Sequence, residues 1–81
     1  MSNGYNGWAN YETWNVALWI GNDKGLYNMA RGFAHDDGPY SAFASAMREL
    51  GGDIGHKTPD GVAWNDSGLD VAELDDMISK L

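Results

Sequence analysis

Asn10-Tyr11-Glu12-Thr13-Trp14-Asn15-Val16-Ala17-Leu18-Trp19-Ile20 decides the fold of this chain. Asn10 is an N-cap residue, Glu12 sits in the first turn that follows, and almost everything after it is apolar. Trp14, Ala17, Leu18 and Gly21 fall on one stripe at three- and four-residue spacing, while Val16, Trp19 and Ile20 cover much of the remaining circumference. A helix that is apolar nearly all round is buried from several sides. This segment therefore reads as the central strut of a small helical domain.

Working outward, residues 1–9 are rich in Gly and Asn and read as a flexible N-terminal arm, with 10–81 as a single helical domain. Gly21-Asn22 stops the first helix, and Asp23 caps a second whose apolar face is Leu26, Tyr27, Ala30, Phe33 and Ala34. Pro39 suits the first position of a third helix, where its missing N–H costs nothing, and Tyr40, Phe43, Met47 and Leu50 make its stripe. Gly, Pro, Asn and Asp dominate 51–68, which reads as an irregular loop pinned to the core by Trp64. Asp70 and Glu73 open the last helix as a D-x-x-E capping box, with Leu69 and Leu74 as a hydrophobic staple. The expected fold is thus all-α: a compact single-domain bundle of about four short helices near 10–21, 23–35, 39–50 and 70–81.

Two stretches carry a resemblance. Tyr11 to Trp19, followed by Asn22-Asp23 and Gly25-Leu26-Tyr27, resembles a signature of short proteins encoded by phages and other mobile elements. Thr58-Pro59-Asp60-Gly61-Val62-Ala63-Trp64-Asn65-Asp66 is similar to the second signature of the same group, and Lys24 stands where many relatives carry an acid. The group is mostly of unassigned function. Some small acidic mobile-element proteins act as anti-CRISPR or antirestriction inhibitors, and the resemblance implies that role as an expectation.

Eighty-one residues hold one core, which four Trp, four Tyr and two Phe help to fill, each burying roughly 150–250 Å² when enclosed. With no cysteine there is neither a disulfide scaffold nor a thiolate metal site, which suits a reducing compartment. No apolar run approaches the roughly 20 residues of a membrane span, and the first residues lack a signal-peptide pattern. The expected location is the cytoplasm of a host bacterial cell.

Twelve acids against five bases give a net charge of −7. Asp60, Asp66, Asp70, Glu73, Asp75 and Asp76 lie between Thr58 and Ser79 with no Lys or Arg among them. Direct nucleic-acid binding and anionic membranes are disfavoured, because both depend on basic side chains. The favoured charged partner is basic. On the last helix four acids fall within seven residues, about 9 Å of axis, which approaches the charge spacing of one DNA strand, about one per 3.4 Å. The same acids have a simpler role available, in solubility and at the helix N-terminus.

Catalytic chemistry is poorly supplied. His35 and His56 sit in polar, Gly-rich surroundings, and Ser41 or Ser45 lacks a nucleophile-elbow or oxyanion-hole signature. His35-Asp36-Asp37 reads as a solvated turn, no EF-hand spacing occurs, and Gly51-Gly52 lacks the Lys-Ser/Thr of a phosphate loop. Neither a metal nor a cofactor is expected. Trp14, Trp19, Phe33 and Phe43 read as core, whereas Tyr5 and Trp8 lie outside the periodic segments and are secondary partner-binding candidates.

The residues and the resemblance together point to a non-enzymatic inhibitor. Its partner is expected to be a host defence complex with a basic nucleic-acid groove, a CRISPR effector before a restriction enzyme. The six acids from Asp60 to Asp76 are the candidate contact residues. The alternative is a small interaction module that binds through its aromatic arm without mimicry. An accessory protein binding a metal or nucleotide comes third.

Overall fold

The computed structural model describes residues 4–81, so the first three positions of the expected arm lie outside the described residues. Five helices follow in order: α1 (Tyr11–Asn22), α2 (Lys24–Arg31), α3 (Pro39–Leu50), α4 (Gly52–His56) and α5 (Val71–Ser79). Among the described residues there is no strand, and the chain forms one small all-α unit. α1 packs on α2 and α5, α3 packs on α4 and α5, and α2 closes the bundle against α3 and α5.

Local chemistry sets the boundaries. Asn10 accepts from the Thr13 backbone N–H to cap α1, Asp23 accepts from the Leu26 N–H to cap α2, and Asp70 accepts from the Glu73 N–H to cap α5. Asp23 also closes the preceding helix, since its own N–H donates to the Trp19 carbonyl. One residue thereby ends α1 and starts α2. The second helix stops at Arg31, short of the expected 35, and residues 32–35 continue as tight turns. Val16, Ile20, Ala30, Phe43, Met47, Leu74 and Ile78 are sealed from solvent at the centre.

Two expectations need correction. Part of the stretch read as a loop, 51–68, is helical: α4 occupies Gly52–His56. Gly51 and Gly52 turn the chain with φ of 74° and 70°, a region that side chains rarely adopt. Gly55 then lies so close to α3 that a Cβ there would fall 2.6 Å from the Met47 carbonyl oxygen. These glycines look like helix breakers in isolation, but the turn requires Gly51 and Gly52, and tight packing onto α3 requires Gly55. The rest of the loop is ordered by Trp64, which is buried, donates its indole N–H to the Ile54 carbonyl (2.6 Å) and meets Phe43 edge-on. Its carbonyl accepts from the buried Tyr40 hydroxyl at 2.6 Å.

The second correction concerns Trp14, which lies outside the core. It is only half-buried and packs on Tyr5 and Tyr11, at ring separations of 4.9 and 5.7 Å. Leu50, at the end of its stripe, is also exposed rather than buried, as is Val71 at the start of α5.

Candidate partner-binding surface

The two signature stretches are bound to each other. Asn15, fully buried within an otherwise apolar helix, accepts from the Thr58 hydroxyl (2.7 Å) and donates to Asp60 Oδ2 (2.8 Å). The Trp19 indole N–H reaches the same Asp60 oxygen at 2.9 Å. Thr58 in turn accepts from the Val62 N–H, which closes the turn that carries Asp60. At the other end of α1, Thr13 is fully buried, donates its hydroxyl to Asn10 Oδ1 (2.6 Å) and accepts from the Asp70 N–H (2.9 Å). The Asn10 amide also donates to the Gly68 carbonyl. Buried polar groups need partners, and here all are satisfied among the described residues.

This arrangement fixes Asp60 in place. Hydrogen bonds from Asn15 and then Trp19 hold its carboxyl below the usual carboxylate range, against a smaller opposing effect of burial. The sequence carries a signal for this arrangement: Thr13 and Asn15 are polar residues set into an apolar helix. Their long-range partners, Asp70 and Thr58, lie more than 40 positions away, beyond the reach of any local pattern.

Each of the other five candidate acids also has a partner within the chain. Asp66 accepts from the Gly68 N–H (2.7 Å), and Asp70 caps α5. Glu73 does not reach back to complete the capping box. Its carboxylate accepts from the Ala9 N–H at 2.8 Å, while Thr13 takes the Asp70 N–H. Asp75 accepts from the Tyr40 N–H at 2.8 Å and so caps α3, whose own N-cap, Gly38, has no side chain to offer. Asp76 forms the one ion pair among the described residues, 2.9 Å to Lys80, with both side chains largely in water.

The acids are not all brought onto one face. Successive helical residues turn by about 100°, so Glu73 and Asp75 leave α5 on opposite flanks with Asp76 between them. Glu73 and Asp76 border one notch together with Trp8, Met77 and Lys80. Asp66 lies on the α3 side, where its charge adds to the effect of burial in raising the Tyr40 hydroxyl pKa. Asp60 stands apart, against α1.

The secondary candidates part company. Asn6 and Gly7 both have positive φ, 50° and 89°, and make a two-residue turn that pairs Tyr5 with Trp8. Trp8 packs against the core, whereas Tyr5 stays exposed beside Tyr11 and Trp14. His35 and His56 are both exposed and separate. Ser45, Arg48, Glu49 and His56 border one open notch, with no side-chain hydrogen bond joining them among the described residues. Among the described residues no three His, Cys, Asp or Glu side chains are grouped to hold a metal ion, and no helix is long and apolar enough to cross a membrane.

No curated protein and no solved structure matches this chain. A family model does, over residues 1–81, and its family is one of unknown function. On that match the chain belongs to DUF7249, a family of unknown function.

Proposed function

We propose that the chain works by binding, as a non-enzymatic inhibitor that occupies the basic nucleic-acid groove of a host defence complex. The observation that carries this reading is the run from Thr58 to Ser79: six acids, no Lys or Arg, and every acid held by a partner within the chain. A carboxylate already fixed in position loses little further freedom when it meets a partner's cation, which favours preorganised binding. A field of such charges also steers encounter with a positive groove. The hydrogen bonds equally give each acid a structural reason to be present, so binding rather than composition is the test. A CRISPR effector is preferred to a restriction enzyme on the resemblance to mobile-element proteins alone.

The anchoring bonds allow the charges to be removed without removing the acceptors. Asp66→Asn, Glu73→Gln, Asp75→Asn and Asp76→Asn remove four charges while keeping an acceptor oxygen for each anchoring N–H. The combined variant should fold as the wild type does and lose its partner. Wild-type binding should weaken steeply with salt, because exposed charges are screened over about 8 Å at physiological ionic strength. Duplex DNA should compete with it.

A second reading, an interaction module without mimicry, is favoured by the exposed Tyr5 and Tyr11 rings and the half-buried Trp14 ring they pack on. It expects the amide variant to bind unchanged.

A further inference from the structure

The N-terminal turn and the last helix meet in a notch. Glu73, Asp76, Met77 and Lys80 recur at three- and four-residue spacing along α5 and its C-cap, so they share one edge of the helix. Trp8 lies beside that edge, and its neighbour Ala9 is tied there by an N–H donated to Glu73 at 2.8 Å. Together with Leu81 these residues border about 370 Å³. That is near the bottom of the roughly 300–1,000 Å³ of small-molecule sites, and it suits a single side chain better than a cofactor.

The notch is divided by polarity. Trp8, Met77 and Leu81 are half-buried and pack against the core, so they form its inner wall. Asp76 and Lys80 are exposed at its mouth, with Glu73 half-buried one turn away. Each carboxylate spends one oxygen within the chain, Glu73 Oε1 on Ala9 and Asp76 Oδ2 on Lys80. Glu73 Oε2 and Asp76 Oδ1 have no partner among the described residues. An apolar wall behind an acidic mouth matches a long basic side chain, whose stem is apolar and whose head is charged. Lys80 already supplies part of that chemistry. Its ammonium lies 2.9 Å from Asp76, yet the two side chains are 72% and 64% exposed. A pair so open to water stabilises little, so a partner's cation displaces Lys80 at small cost.

We propose that this notch receives a lysine or arginine side chain of a protein partner, which replaces Lys80 on Asp76 while its stem lies against Trp8 and Met77. Glu73 and Asp76 are three residues apart on the helix, roughly 5–6 Å between Cβ atoms, so one cationic head can meet both. The proposal rests on the reading of the chain as a binder of a basic partner, and it names one point of contact on that surface. Charge decides against the other occupants. Nucleic acid or an anionic membrane would bring phosphates beside two carboxylates, and a second copy would bring another −7.

The test is a ¹⁵N NMR titration of the full chain with a capped Ala-Lys-Ala peptide. Two comparison peptides separate stem from charge: norleucine keeps the stem without the cation, and diaminopropionic acid keeps the cation on a short stem. The lysine peptide should shift the Trp8 indole N–H and the Met77 amide, and both comparison peptides should bind more weakly. Lys80→Met keeps a stem but releases Asp76, and should tighten binding of the lysine peptide about two- to fivefold. Lys57→Met makes the same change in net charge at an exposed residue of a different notch, and should leave the affinity unchanged. Glu73→Gln, which keeps an acceptor for Ala9, should weaken binding without changing the far-UV circular dichroism spectrum.

Binding of the norleucine or diaminopropionic acid peptide as tightly as lysine would overturn the proposal. Equal tightening by the two lysine variants would do the same, because it would report net charge alone. Shifts at other acids with Trp8 and Met77 unmoved would overturn the notch while leaving the acidic-surface reading to the four-amide variant. Partner capture that tightens with Lys80→Met but is indifferent to duplex DNA would support the notch and end the nucleic-acid-groove reading.

Discussion

Replacing Asn15 by Ala tests whether the contact between the two signature stretches holds the fold together. Asn15 is fully enclosed, and both ends of its amide are used, by Thr58 at 2.7 Å and Asp60 at 2.8 Å. Truncation leaves the buried Thr58 hydroxyl without an acceptor, which costs about 1–3 kcal/mol. The small void left at a buried site adds roughly 1 kcal/mol. Water replaces the lost contact at exposed Asp60, so that end contributes little. The expected loss is about 2–4 kcal/mol, a large share of the roughly 4–12 kcal/mol available to a chain of this length. Urea unfolding followed by far-UV circular dichroism measures it. Thr58→Val alone should also destabilise, but the double variant should cost less than the sum, with a coupling of about 1 kcal/mol. A loss below about 0.5 kcal/mol for Asn15→Ala, or strict additivity in the double variant, would refute the reasoning.

Gly55→Ala places a Cβ 2.6 Å from the Met47 carbonyl oxygen and should lower stability by about 1–3 kcal/mol, whereas Gly61→Ala, at a bend with φ of 95° and open space around it, tests backbone strain alone. Trp64→Ala should cost about 3–5 kcal/mol and unfold the domain, while Trp14→Ala, lying outside the core, should leave a cooperative thermal transition. Because hydrogen bonds lower the folded-state pKa of Asp60, its stabilising effect is complete above its unfolded value of about 3.9 and is lost as pH falls through the lower folded value. Comparing the urea midpoints of wild type and Asp60→Asn between about pH 5 and pH 2 should show a steeper acid decline in the wild type.

What the sequence made legible was local. Asn10, Asp23, Pro39 and Asp70 mark helix starts through interactions within a few residues, and each does so in the structure. The buried stripes around Phe43 and Leu74 follow from helical spacing in the same way. The failures share a different cause. Gly55 reads as a breaker until Met47 is placed against it, and Trp14 reads as core until the turn at Asn6-Gly7 brings Tyr5 to it. The anchors of the acids were equally hidden: Asp75 caps a helix that begins 36 positions earlier, and Glu73 holds a backbone N–H 64 positions away. Contacts of that separation leave no periodic trace.

The central proposal is that fixed negative charge on 60–76 recognises a basic groove. The measurement that tests it most directly is binding to the captured host partner, wild type against the four-amide variant, across a salt series and with duplex DNA as competitor. The proposal predicts tight wild-type binding that falls steeply with salt and yields to DNA, together with lost binding in a variant whose unfolding transition is unchanged. Equal binding by the folded amide variant, insensitive to salt and to DNA, would contradict it.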